Sequence, residues 1–169
     1  MVISKNRLRL CVGLIVCNLA FIWGNSLLTA EISSAISNFV QLILAWLFPG
    51  EVTGVTGGGT GLLRKLAHLC EFACLGLLCG WYLLMVKKKL VWAVLPGFCA
   101  ACVDETIQCF VPGRGPRVTD VLIDTLGVSL GILAIFILHI FIFKIRRKTN
   151  EKVDCTLTGN DDAAGSGRL

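Results

Sequence analysis

Four apolar runs of about 20 residues each, at about 8–29, 62–86, 90–110 and 120–143, constrain this chain more than any other feature. A helix of that length rises about 30 Å, the thickness of a bilayer's hydrocarbon core. Composition agrees: 55% of the 169 residues are hydrophobic, only 16% are charged, and mean hydropathy is +0.77. The expected fold class is therefore an all-α integral membrane protein, a four-transmembrane-helix bundle forming one membrane domain over 1–148. The remaining residues, 149–169, are polar, rich in small side chains and expected to be a disordered cytoplasmic tail. A cleaved signal peptide is the competing reading of the first run, because Lys5, Arg7 and Arg9 precede it. Bulky Leu28, three before a cut after Ala30, argues instead for an uncleaved span.

Basic residues set the expected orientation. Lys5, Arg7 and Arg9 precede span one; Lys87, Lys88 and Lys89 separate spans two and three; Lys144, Arg146, Arg147 and Lys148 follow span four. The segment 30–61 has neither Lys nor Arg. Both termini are accordingly expected in the cytoplasm. Within that segment Ile32, Ile36, Phe39, Val40, Ile43, Leu44 and Leu47 recur at helical spacing, with Ser33, Ser37, Asn38 and Gln41 on the other side. This pattern predicts an amphipathic interfacial helix between spans one and two. Pro49 and Gly50 should end it, and the glycine-rich stretch to Gly61 should be flexible. GGGTG is no phosphate loop, since neither the following Lys-Ser/Thr nor the preceding strand is there.

Polar residues within such spans are expensive, and here they gather at one end. Arg64, His68 and Glu71 recur at intervals of four and three on one helix face. Asp104, Glu105 and Gln108 close span three, and Asp120 and Asp124 open span four. With Lys65, Arg114 and Arg117 the cluster carries four cationic and five anionic groups, a net charge of minus one with His68 neutral. Insertion scales charge about 2.5–3.5 kcal/mol for one such group at mid-bilayer, so mutual pairing is expected. A purely structural ion-pair network is one reading. A ligand site is the other, because a scaffold alone does not need this many charges. Glu105 is expected to point into the pocket and Asp104 to lie at its edge or cap the helix end. Arg114 should fold back from a tight loop made by Pro112, Gly113, Gly115 and Pro116. Gly127 and Gly131 form a Gly-x-x-x-Gly pair suited to close helix approach.

RKLAHLCEFACLGLL, DETIQCFVPGR and TDVLIDTLGVSLG, in that order, resemble the signature blocks of the VanZ-like bacterial membrane proteins, whose namesake is associated with teicoplanin resistance. WGNSLLTAEISSAIS resembles the segment after their first span. The resemblance covers about 20–135 and implicates Arg64, Lys65, His68, Glu71 and Phe72, then Asp104, Glu105, Gln108, Pro112, Gly113 and Arg114, then Asp120, Asp124 and Gly127. Many relatives carry Asn at the position of Asp124. The resemblance implies a multi-pass protein of the bacterial cell membrane with a polar site at its extracytoplasmic face, acting in the glycopeptide or lipoglycopeptide antibiotic response. Its partners would be the lipid bilayer and an envelope lipid, lipid-linked precursor or amphiphilic glycopeptide antibiotic.

For chemistry, His68, Glu71 and Glu105 are the acid–base candidates, and Arg64 and Arg114 could hold a phosphate or carboxylate through paired hydrogen bonds. No nucleophile with its own base is evident, so whether a reaction is catalysed stays open. His68 and Glu71 alone are too few donors for a metal site, and neither a cofactor nor nucleic acid is expected. A transporter is disfavoured because the inner halves of the spans hold almost no ionisable residue apart from His139. Seven of the nine cysteines lie within apolar runs, where a thiol acts as a small apolar filler. Cys99 and Cys102 retain a minor alternative as the redox pair of a membrane thiol oxidoreductase, which would need a second thiol pair to relay electrons.

Overall fold

In the computed structural model, which describes residues 5–47, 59–115 and 117–165, every regular element is helical. The helices are α1 (Lys5–Ser26), α2 (Ala30–Leu47), α3 (Gly59–Met85), α4 (Val94–Gln108) and α5 (Val118–Gly165), with a short 3-10 turn at Leu90–Ala93 leading into α4. Four segments are long and apolar enough to cross a membrane: Lys5–Ser26, Leu62–Met85, Leu90–Gln108 and Val118–Arg147. They are the four runs expected from sequence, and the architecture is that of a multi-pass membrane protein. The expected helix stop at Pro49 and Gly50 and most of the glycine-rich stretch lie outside the described residues, as does Pro116 of the tight loop.

Each boundary has a local cause. At the end of α1 the chain turns through Leu28 N–H on the Asn25 carbonyl, 3.2 Å. Thr29 then caps α2, its Oγ1 lying 3.5 Å from the Ile32 N–H. Helix α3 stops at its lysines: Lys88 N–H returns to the Leu83 carbonyl at 2.9 Å and Lys87 N–H to that of Leu84 at 3.2 Å. Lys87 itself adopts φ 55°, the left-handed position at which a helix of this kind ends. Pro96 falls in the first turn of α4, where its missing N–H removes no helical bond. Between α4 and α5, Val111-Pro112-Gly113-Arg114 closes with Arg114 N–H on the Val111 carbonyl at 3.1 Å. Gly113 sits at φ 77°. Proline second and a positive-φ glycine third are the signature of a type II turn, so the expected tight loop is present there.

The chain divides into two compact units, Met1–Ala134 and Ile135–Leu169. In the first, Ile22, Phe72, Leu75, Ala100, Ala101 and Val128 form the buried core, one or two side chains from each of α1, α3, α4 and α5. Close backbone approach makes it compact. A Cβ on Gly127 would lie 2.5 Å from the Leu69 carbonyl oxygen, and one on Gly131 would meet the Ala73 carbonyl oxygen and lie 2.7 Å from Leu77 N. Helices α3 and α5 therefore touch backbone to backbone, as the Gly-x-x-x-Gly spacing predicted. Large apolar side chains such as Leu10, Phe21, Leu62, Trp92 and Leu122 are exposed on the outer faces. Lipid, not water, is the solvent that suits them.

In the second unit α5 runs on past the span expected at about 120–143, as far as Gly165. The residues TNEKVDCTL contain neither Pro nor Gly to stop it.

Candidate functional site

The polar residues that the sequence scatters over 100 positions meet at one end of the first unit. Each arrives for a simple reason. Asn25 and Ser26 end α1, Arg64, His68 and Glu71 line one face of α3, Asp104, Glu105 and Gln108 end α4, and Asp120 and Asp124 occupy the first turns of α5. The tight turn after α4 returns Arg114 and Arg117 over these ends.

Asp104 is the centre of the network. It is fully buried, and its Oδ1 accepts from the Ser26 hydroxyl at 2.6 Å while Oδ2 accepts from Gln108 Nε2 at 2.7 Å. The Gln108 carbonyl oxygen in turn accepts from Arg64 Nη2 at 2.7 Å. The amide thus stands between guanidinium and carboxylate and gives each the partner it requires. Ser26 also receives the Gln108 amide at 3.3 Å, and its backbone carbonyl accepts from Arg114 Nη1 at 3.4 Å. Burial, and then the nearby positive charge of Arg64, push the Arg114 guanidinium below its ordinary value. It remains charged at neutral pH.

Glu105, expected to point into the pocket, lines a cavity with His68 and Asp120, whereas Asp104, expected at the edge or capping the helix end, lines neither that cavity nor the one at Glu71. Both are buried, Asp104 at 0% exposure and Glu105 at 5%, and Asp104 makes the more central contacts. The reason is the position of Ser26: α1 packs beside α4, so the face carrying Asp104 meets helix rather than lipid. Glu105 faces the loop, accepting from the Arg117 N–H at 2.8 Å.

Two small cavities lie among the polar residues. The first, about 70 Å³, is lined by Arg64, Lys65, His68, Glu105, Gln108, Arg117, Asp120, Ile123 and Asp124. The second, about 90 Å³, is bounded by Arg64, His68, Glu71 and Arg114 together with Asn25, Ser33 and Ser37. Of the ligand-binding candidates expected from the sequence, all but Asp104 line one cavity or the other. Glu71 is held by Asn25 Nδ2 at 2.7 Å. On α2, Ser33, Ile36 and Ser37 face the second cavity while Phe39, Leu42 and Trp46 are exposed.

His68 is nearest to carboxylates. Its Nδ1 lies 3.8 Å from Asp104 Oδ2 and 4.0 Å from Asp124 Oδ1, both beyond hydrogen-bond length. Weighing His68 with Glu71 alone as metal donors overlooked this, because Asp104 and Asp124 come from two other helices. Asn25 and Ser26 were missed as site residues too. The only signal for them was the segment WGNSLLTAEISSAIS, in which they sit side by side.

The minor redox alternative finds Cys99 exposed and Cys102 half-buried, both as free thiols on α4. Cys99 instead lines an apolar recess of about 270 Å³ with Ile15, Leu19, Trp23, Leu75, Pro96 and Val103.

A sequence model of the VanZ/LLP1 family matches residues 8–141, a stretch that contains every residue of the cluster. No curated protein and no solved structure gives a significant match. With most of its length matched, its four membrane-crossing helices in place and its signature blocks converging on one polar cluster, the chain belongs to the VanZ/LLP1 family.

Proposed function

We propose that this protein binds the phosphate-bearing headgroup of an envelope lipid or lipid-linked precursor at the extracytoplasmic face of the bacterial cell membrane, and so acts in the glycopeptide or lipoglycopeptide antibiotic response. The carrying observation is the convergence of Arg64 and Arg114 on the second cavity. Neither guanidinium has a carboxylate within 4.0 Å among the described residues, and the Arg114 Nε is buried without a partner. Two guanidinium groups held by neutral acceptors keep their charge available to an anion. The apolar recess between α1, α3 and α4 offers an acyl or polyprenyl chain a surface in the same bundle. On this reading α2 lies in the interface, its apolar side in lipid and its serines toward the headgroup. Occupying the lipid changes an amphiphilic antibiotic's access to its target without bond chemistry.

Native mass spectrometry of the full chain with its co-purified lipids tests this. The expected result is one phospholipid or polyprenyl phosphate species retained by the wild type and lost from Arg114→Ala, with the melting temperature little changed. If the cluster is only an ion-pair scaffold, no species is selectively retained and Arg114→Ala lowers the melting temperature instead.

A further inference from the structure

We propose that His68, Asp104 and Asp124 form a binding site for one first-row divalent cation, Zn²⁺ or Mn²⁺, buried where α3, α4 and α5 meet. The donor atoms are one imidazole nitrogen and two carboxylate oxygens, all within 4.8 Å of one another. Ligands about 2.1 Å from a tetrahedral zinc are about 3.4 Å apart. The separations of 3.8 and 4.0 Å from His68 therefore need to close by about half an ångström, and that between the two carboxylate oxygens, within 4.8 Å, by at most about 1.4 Å.

A second observation points to the ligand independently of that grouping. The Asp124 side chain is 2% exposed, yet neither of its oxygens has a hydrogen-bond partner, and the His68 Nδ1 has none either. A buried carboxylate without donor or countercharge is one of the costliest arrangements a protein can hold. Protonating His68 would bring a countercharge to 4.0 Å from Asp124 but no hydrogen bond, since its Nδ1 is too far from both carboxylates. A dication between the three neutralises both carboxylates and gives the His68 Nδ1 and an Asp124 oxygen the partner each lacks.

The surroundings suit a metal. Ser26 holds Asp104 Oδ1 and Gln108 holds Oδ2, the oxygen nearest His68, outer support of the kind that fixes a ligand's orientation. The adjoining cavity of about 70 Å³ gives room for waters to complete the coordination, and Glu105, whose Oε1 is also unpartnered, lines it. A mixed nitrogen and oxygen set favours zinc or manganese over magnesium, which prefers oxygen alone. This site goes beyond the lipid reading and stands whether or not a headgroup binds.

The test uses the full-length chain in detergent, stripped with EDTA, loaded with Zn²⁺ or Mn²⁺ and desalted, with retained metal measured by inductively coupled plasma mass spectrometry. Expected is one ion per chain for the wild type and for His139→Ala, a substitution of an exposed histidine away from the cluster. Asp124→Leu and His68→Phe should retain almost none. Asp124→Asn keeps the residue's shape in case the apolar variants do not fold, and should bind at least about tenfold more weakly. Co²⁺ loading should give d–d absorption that is lost with His68. A wild type that retains no zinc or manganese, or triad variants that retain as much as the wild type, would overturn the proposal.

Discussion

Ser26 shows how little one residue needs in order to organise a buried site. Its hydroxyl donates to Asp104, accepts from Gln108, and is fully shielded, so it joins the end of α1 to the end of α4. Ser26→Ala keeps the volume but strips a donor from a buried carboxylate. The expected loss is about 1–3 kcal/mol, the cost of leaving one buried polar group unsatisfied. Thermal unfolding in detergent measures it. Thr106→Ala is the matched control: that hydroxyl is exposed and bonds only its own helix at the Cys102 carbonyl, so its loss should shift stability by less than about 0.5 kcal/mol. Equal effects from the two would show that Ser26 is not the hub. Sequence reading could rank the ionisable residues here because charge in a membrane is conspicuous, but a serine next to a span end is ordinary. Its importance rests on which helix lies opposite.

At the scale of elements, the contact of α3 with α5 sets the geometry of the cluster. Glycines at 127 and 131 allow the backbones to touch, and this brings Asp124, one turn before Gly127, toward His68 on α3. Adding a methyl at Gly127 or Gly131 forces the helices apart, since the atoms in the way are backbone and cannot swing aside. Gly127→Ala and Gly131→Ala should each destabilise by about 1–3 kcal/mol and widen the gap between Asp124 and His68. Gly13→Ala provides the contrast. Nothing lies within 4 Å of a Cβ there, and alanine is the better helix former by about 1 kcal/mol, so stability should hold or rise. Melting curves of the three variants decide between close packing and a general intolerance of larger residues. The Gly-x-x-x-Gly spacing made this interface legible from sequence, whereas its partner on α3, Gly76 against the Val128 carbonyl, carried no pattern of its own.

For the whole molecule, the distribution of Lys and Arg makes a prediction that needs no ligand. Reporter fusions or impermeant thiol labels placed after Lys88 and after Lys148 should read as cytoplasmic, and one placed at Gly115 as extracytoplasmic. Finding Gly115 on the same side as Lys88 would remove the four-span arrangement, because α4 alone separates them. The same experiment fixes the face on which the two cavities open, and with it the leaflet whose lipids can reach Arg64 and Arg114.

Sequence by itself determined the class, the number of spans, the tight turn at Pro112-Gly113, and the ionisable residues gathered in the polar cluster. Each of these follows from one-dimensional properties: the length of an apolar run, the φ demanded by a turn, or the cost of a charge in hydrocarbon. Only the tertiary structure decided who faces whom. Asp104 lies at the centre because α1 brings Ser26 against it, Gln108 separates Arg64 from Asp104, and His68 meets two carboxylates from two other helices. Helical periodicity assigns each residue to a face of its own helix, but the rotation of that helix about its axis is set by packing against its neighbours. A turn of about 100° per residue is enough to send adjacent Asp104 and Glu105 to different neighbours.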